Sequence, residues 1–311
     1  MDSIRVFAPA SVANVSCGFD ILGFALNSPG DEIILNKNDS GVVKIVDIAG
    51  DDGQLPKDPD KNSASAVIKN ILEHLKLPLG IDIHLHKKMP LGSGLGSSAA
   101  SSVAAAYALN ELLGNPLDSI EVLEAAMYGE KIACGSDHAD NVAPALFGGF
   151  VLIRSYIPLD VIKLPAPEEL YASVIHPRIE IKTKDARDIL KKQVQLKNAI
   201  KQWGNVGGLI SGLYTSDYEL IGRSMVDHII EPIRSILIPG YDAVKAAALD
   251  SGVLGCGISG SGPSVFALSR GSRIAREAAQ KMKEEFKKIG IESDIYVSKV
   301  NNQGPIVLEQ A

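Results

Sequence analysis

Residues 80–86 alternate with period two: Ile81, Ile83 and Leu85 occupy one parity, Asp82, His84 and His86 the other. That spacing puts the two sets on opposite faces of an extended segment, so it predicts a half-exposed strand that ends by Pro90. β-Branched alternation predicts further strands over 3–11, 31–37 and 41–50, with Pro29-Gly30 read as a turn ahead of the second. A polar loop over 51–62 leads to a helix capped by Asn62 or Ser63 and running to about Leu75. Small residues, "SAASSVAAAYALNELL", predict a helix from Ser98 to Leu113, which Gly114 and Pro116 stop. A second helix is expected from Ser119 to about Cys134, with Asp118 and Glu121 spaced as a capping box. "GGFVLI" (148–153) reads as a strand.

A proline-rich stretch, 157–170, reads as a connector and divides the chain into 1–165 and 166–311. Beyond it the pattern predicts a strand at 171–176 and a helix starting near Thr183. Helices at 197–214, 217–230 and 241–250 should follow. After them come a second glycine cluster, "GCGISGSGPS" (255–264), a strand at 264–269, a helix at 272–289 and a strand at 293–300. Strands and helices both abound without a regular βαβ rhythm, which favours an α+β fold in two domains.

The chain has 311 residues and a formal charge of -6, from 31 basic and 37 acidic side chains. That balance offers no footprint for nucleic acid or an anionic membrane. Cys17, Cys134 and Cys256 are far apart, which argues against a disulfide framework or a structural zinc site and fits a reducing compartment. The start, "MDSIRVFAPAS", lacks the apolar core of a signal peptide, and no apolar run approaches the roughly 18 residues of a membrane span. The expectation is a cytoplasmic protein.

Chemistry concentrates in "PLGSGLGSSAAS" (90–101). It fails the dinucleotide pattern, because Ser97 stands at the sixth position, and it fails the P-loop pattern for want of Gly-Lys-Ser/Thr. Gly92, Gly94 and Gly96 still allow successive N–H groups to turn toward one ligand, and a helix N-terminus follows. The stretch is either an anion cradle or a loose turn with serine caps. Glu130 lies on a helix face with Ala126, Met127, Ala133 and Cys134, where a lone carboxylate is costly and a magnesium ion or a basic side chain would satisfy it. In "CGSDHADN" (134–141), Asp137, His138 and Asp140 either bind metal or cap the chain, and Asp140 can also orient or deprotonate a hydroxyl. The second glycine cluster is a tight turn, or a loop reaching toward the first.

These residues resemble one known superfamily, that of galactokinase, homoserine kinase, mevalonate kinase and phosphomevalonate kinase. "PLGSGLGSSAAS" is similar to its phosphate loop and "GISGSGPSVFAL" to its C-terminal glycine motif. "APASVANVSCGFDILGFAL" (8–26), "GSDHADNVAPALFGGF" and "EPIRSILIPG" (231–240) place the resemblance in the homoserine kinase branch. It implies an N-terminal ribosomal-protein-S5-like α+β domain, a C-terminal ferredoxin-like sandwich, and phosphorylation of the L-homoserine side-chain hydroxyl by ATP in threonine biosynthesis.

By the same resemblance, ATP contacts Pro90, Leu91, Gly92, Ser93, Gly94, Leu95, Gly96, Ser97, Ser98, Ala99 and Ala100, and Mg2+ sits on Ser98 and Glu130. Asp140 and Asn141 are the implied catalytic residues. Asn14, Asp20, His138, Asp140, Thr183, Arg187 and Arg234 line the implied homoserine pocket. An amino acid needs a carboxylate for its ammonium and guanidinium for its carboxylate, which agrees with that set. Ser16 and Cys17 depart from the glycine and proline usual there. The implied partners are homoserine and ATP, with a homodimer as the candidate assembly. A mevalonate-, shikimate- or sugar-type kinase is the alternative within the superfamily, and a non-catalytic nucleotide-binding module the alternative outside it.

Overall fold

The computed structural model describes residues 1–135, 138–181 and 183–311; Asp137, one of the candidate metal residues, lies outside them. The chain opens with β1 (Ser3–Ala13), β2 (Leu22–Asn38) and β3 (Val43–Ala49), then α1 (Ser63–His74) and β4 (Gly80–His86). Three helices follow, α2 (Ser97–Leu112), α3 (Ser119–Cys134) and α4 (Ala139–Phe147), and then the hairpin of β5 (Phe150–Tyr156) and β6 (Leu159–Leu164). The second half comprises β7 (Leu170–Pro177), α5 (Thr183–Asp188), α6 (Leu196–Thr215), α7 (Tyr218–Ser224), α8 (Glu231–Arg234) and α9 (Tyr241–Leu249). It closes with β8 (Gly255–Ile258), β9 (Val265–Arg270), α10 (Ser272–Lys288), β10 (Ser293–Lys299) and β11 (Ile306–Gln310).

Two sheets carry the molecule. The first runs β11-β1-β2-β4-β3, with β5 paired to β2 and β6 to β5, and only its β3–β4 pair is parallel. The second is antiparallel in the order β10-β7-β9-β8, with α9 ahead of β8 and α10 between β9 and β10. That order and crossover pattern match the ferredoxin-like sandwich. β11 carries the chain back to β1, so the last strand after residue 300 joins the first sheet. Among the described residues no helix is long and apolar enough to cross a membrane.

α2 explains its own composition. It is buried on nearly every side, as a helix without an amphipathic stripe must be. Its alanines and serines let β1, β2, α1 and α3 approach closely. The Asp118–Glu121 capping box forms at the start of α3, and Ile81, Ile83 and Leu85 face the core.

Four readings change. Pro29-Gly30 is not a turn: β2 runs through it, pairing Gly30 with Pro9, where a Cβ would strike Phe7 and Ala8. The proline-rich connector contains β6, which its prolines bracket rather than interrupt. The helix expected over 217–230 stops at Ser224; the Asp227 carboxylate then accepts the main-chain N–H groups of Ile229, Ile230 and Glu231 and starts α8. His138 sits at the N-cap of α4 (Ala139–Phe147), a helix the pattern did not announce. Pro144 inside α4 removes the N–H that would bond the Asp140 carbonyl, and Gly23 of β2 packs against that carbonyl where no side chain would fit.

Candidate functional site

A cavity of about 380 Å³ lies between the two halves, and its lining draws on both. Asn14, Asp20, Leu91, Gly92, Ser93, Gly94, Gly96, Ser97, Ser98, Glu130, His138, Asp140, Asn141, Thr183, Arg187 and Arg234 all contribute. Residues from six separate segments of the sequence therefore meet in one place. Four predicted loop residues do not line it. Leu95, Ala99 and Ala100 bury their side chains in the core, and the Ala100 N–H is spent on the Gly96 carbonyl. Pro90 lines a separate surface depression with Met89, His176 and Arg178.

At one end lies the glycine loop. Gly92, Gly94 and Gly96 have φ of 64°, 76° and 68°, in the left-handed region that costs a side-chain-bearing residue about 1 kcal/mol or more. Gly96 caps α2 from that conformation, leaving the first-turn amides of α2 without a helical acceptor, and Ser97 and Ser98 of that turn line the cavity. The second glycine cluster clasps this loop. Ser259 Oγ donates to the Gly94 carbonyl at 2.6 Å, and a Cβ on Gly94 would lie 2.6 Å from the Ser259 carbonyl oxygen. From β1, the Ser11 N–H donates to the Leu95 carbonyl at 3.0 Å and Ser11 Oγ to Asn141 Oδ1 at 2.9 Å.

Glu130 reaches the same end from α3 and is hydrogen-bonded to Ser98. Burial pushes its carboxyl up to about 7, against the opposing pull of that hydroxyl and of Lys87. Lys87, just past β4, is the residue the sequence reading missed. Its ammonium is buried, pairs with Asp31, and donates to the Ser97 carbonyl at 2.9 Å and to Ser101 Oγ at 2.7 Å. No local motif marks it among 31 basic residues. The first glycine loop carries no lysine of its own, yet the fold brings one beneath it.

The opposite end is charged and strained. Arg187, on α5, donates to both Asp20 oxygens, at 2.8 and 3.1 Å. Arg234, on α8, is buried and donates to the carbonyls of Ala186 (3.0 Å) and Gly260 (3.1 Å). Both guanidinium carbons lie over the Phe19 ring, 5.6 and 4.9 Å from its centroid. Burial first, and Arg187 second, lower the Arg234 pKa to about 10, which leaves it charged at neutral pH. Asn14 joins the halves: its Nδ2 donates to the Gly260 carbonyl at 2.8 Å and its Oδ1 accepts the Asp20 N–H at 3.0 Å. Thr183 Oγ1 lies 3.3 Å from Ser261 Oγ, and His138 Nδ1 4.0 Å from Asp20 Oδ2.

Asp140 stands in the first turn of α4, 4% exposed. Burial raises its pKa to about 7, the Asp20 charge adds to the rise, and Arg187 opposes it. Its protonation therefore changes near neutrality, where a proton acceptor works best. The segment leading to Asp20 is itself unusual. Asn14, Val15, Ser16 and Asp20 have φ of 72°, 40°, 58° and 61°. Left-handed non-glycine residues, Val15 above all, persist only where their surroundings hold them. The left-handed φ of Ser16 accounts for the glycine usual at this position; serine adopts the same conformation at a steric cost.

Among the described residues no three His, Cys, Asp or Glu side chains gather as a metal cage. The donor set at the glycine end is one buried carboxylate, Glu130, and one hydroxyl, Ser98. That set is too sparse for zinc and suits magnesium, which takes few protein ligands and completes its shell with phosphate oxygens and water.

Comparison with known proteins matches residues 62–149 to the GHMP kinases N terminal domain and residues 209–288 to the GHMP kinases C terminal domain. The chain is 51% identical to a homoserine kinase of Chlorobium phaeovibrioides, over 99% of this chain and 100% of that one. A crystal structure of homoserine kinase from Cytophaga hutchinsonii superposes with a TM-score of 0.97 at 62% identity, covering 99% of this chain and 98% of that one. An L. major mevalonate kinase solved with R-mevalonate superposes at 0.72 with 18% identity, over 94% of this chain and 95% of that one, a likeness of fold.

Proposed function

The chain belongs to the GHMP kinase family, in its homoserine kinase branch, and we propose that it transfers the γ-phosphoryl group of ATP to the side-chain hydroxyl of L-homoserine. One observation carries the choice of substrate: Asp20 and Asp140 share the end of the cavity with Arg187 and Arg234. An amino acid is the mirror of the Asp20–Arg187 pair. Its ammonium can face the carboxylate while its carboxylate faces the two guanidinium groups, so no charge is left without an opposite. A mevalonate or a sugar has no ammonium to set against Asp20.

Phosphoryl transfer needs position and charge more than covalent chemistry. The first-turn amides of α2 and the glycine loop supply positive potential at the nucleotide end, while Lys87, neutralised by Asp31, braces the start of α2 through the Ser97 carbonyl and Ser101. Glu130 and Ser98 would hold magnesium, which when bound neutralises phosphate charge. At the alcohol end Asp140 orients the hydroxyl and accepts its proton as the phosphorus–oxygen bond forms; Asn141, tied to Ser11, sits between the two ends. Arg187, Arg234, Asn14, Thr183 and His138 fix the amino-acid portion. The expected setting is the cytoplasm, where ATP is supplied.

ADP release, coupled to an indicator reaction and compared across L-homoserine, mevalonate and shikimate, tests the proposal. Turnover with homoserine at least a hundredfold above the others is expected. Preference for either other alcohol overturns the substrate assignment, and nucleotide binding without turnover on any of them overturns the enzyme reading.

A further inference from the structure

The buried face of α6 is apolar at Ala199, Leu209 and Leu213 and carries one polar side chain, Gln202, which is 7% exposed. A buried amide costs free energy unless its hydrogen-bonding groups are met, a requirement the leucines on the same face do not carry. Every group of the Gln202 amide is engaged. Nε2 donates to the Cys17 carbonyl at 2.8 Å and to Asp227 Oδ1 at 3.0 Å, and Oε1 accepts the His228 N–H at 2.9 Å.

Those partners lead to both charged grips of the cavity. Cys17 follows the left-handed residues Asn14, Val15 and Ser16 and stands three positions before Asp20. Its carbonyl ties the middle of that strained segment to α6, while Asn14 ties the segment's start to Gly260. Asp227 serves the other grip. Its carboxylate accepts the N–H groups of Ile229, Ile230 and Glu231 at 2.9, 3.0 and 2.8 Å. α8 is a single turn of four residues, too short to be stable alone, and it ends on Arg234. The Arg234 N–H bonds the Ile230 carbonyl at 2.9 Å, so a shift at Asp227 carries Arg234 with it. The Asp227 charge also favours the protonated form of Arg234.

Asp20 comes from the first half of the chain and Arg234 from the second, and one amide side chain holds the segments of both from behind. Neither Gln202 nor Asp227 lines the cavity, so any effect on substrate must pass through the groups they hold.

We propose that Gln202, acting with Asp227, is a positioning residue that sets the separation of Asp20 and Arg234 to suit an ammonium and a carboxylate borne on one carbon. The proposal rests on the homoserine reading above and adds to it the element that fixes the spacing of the two grips.

Steady-state kinetics of the full chain test it. Gln202→Met keeps the length of the side chain and removes all three hydrogen bonds. KM for L-homoserine should rise about tenfold or more, while KM for ATP stays within about twofold. Inhibition by γ-hydroxybutanoate, which has the alcohol and the carboxylate without the ammonium, should weaken by no more than about threefold, because a single charge does not register the separation. A side chain that only packs would lower Tm and the active fraction and leave both KM values in place. An unmoved homoserine KM, equal rises in both KM values, or inhibition weakened as much as homoserine binding would overturn the proposal. A wild type that does not phosphorylate homoserine would overturn the substrate reading and this proposal with it. If Gln202→Met fails to fold, Asp227→Asn decides: it keeps the shape, loses the oxygen that accepts the Glu231 N–H, and should raise the homoserine KM alone by about fivefold.

Discussion

At the end of the cavity proposed for the nucleotide the backbone turns left-handed at Gly92, Gly94 and Gly96; at the end proposed for the alcohol it does so at Asn14, Val15, Ser16 and Asp20. The glycines take that shape without a steric penalty and bring bare main chain to the ligand. The second set pays roughly 1 kcal/mol or more per residue and holds the shape through Asn14, which bonds Gly260 and Asp20, and through the Asp20–Arg187 pair. On the proposed assignment the two ends divide the labour: one would present amides and helix dipole to the phosphates of ATP, and the other would aim particular side chains at one alcohol.

The largest effect should come from removing charge at the nucleotide end. Glu130→Gln keeps the size and the Ser98 contact but loses the carboxylate, and kcat should fall by about a hundredfold or more. If kcat stayed within a factor of two, Glu130 would have no part in turnover. Asp140→Asn should likewise lower kcat; a rise in KM alone, with kcat near normal, would make Asp140 a substrate ligand and not a proton acceptor.

Both carboxyl groups also predict a stability effect. Their folded pKa values, about 7, lie above the unfolded carboxylate range near 4. Each contribution is therefore fully present below about pH 4 and is lost as pH rises through about 7. The Tm of the protein alone should fall between pH 5 and pH 8. Glu130→Gln and Asp140→Asn should each flatten that fall, melting above the wild type at pH 8 and close to it at pH 5. Curves that run parallel across this range would contradict the buried-carboxylate assignment.

The smallest effect sharpens the contrast in backbone. Ser16→Gly places a permissive residue at φ 58° and should stabilise the fold by roughly 0.5–1 kcal/mol in denaturant unfolding, with little change in kcat. An unchanged or lowered midpoint would mean that the local backbone stores no strain at Ser16.

The same contrast governs what the sequence reveals. Gly92, Gly94 and Gly96 are visible in a single chain because glycine is the residue that left-handed turns select. Val15 and Ser16 are invisible, since nothing local predicts that a β-branched residue will adopt φ 40°. Lys87 was overlooked for a related reason: its partners Asp31, Ser97 and Ser101 lie in three separate segments. The capping box of α3, the alternating faces of β4 and the all-small α2 follow from local rules and were legible. α4 was not, because Pro144 and the polar "DHADN" lead disguise a helix that packing against β2 secures. Asn14, Asp20, His138, Arg187 and Arg234 were named through family resemblance; on residue type alone the arginines would read as a solvated helix face.

The division of labour is tested most directly by crossing two variants with two substrates in steady-state kinetics. Gly94→Ala forces a side chain to within 2.6 Å of the Ser259 carbonyl, and Arg187→Lys breaks the two-pronged grip on Asp20. Gly94→Ala should raise KM for ATP by about tenfold or more and leave KM for homoserine nearly unchanged, and Arg187→Lys should do the reverse. Equal rises in both constants for either variant would contradict a cavity with two separate ends.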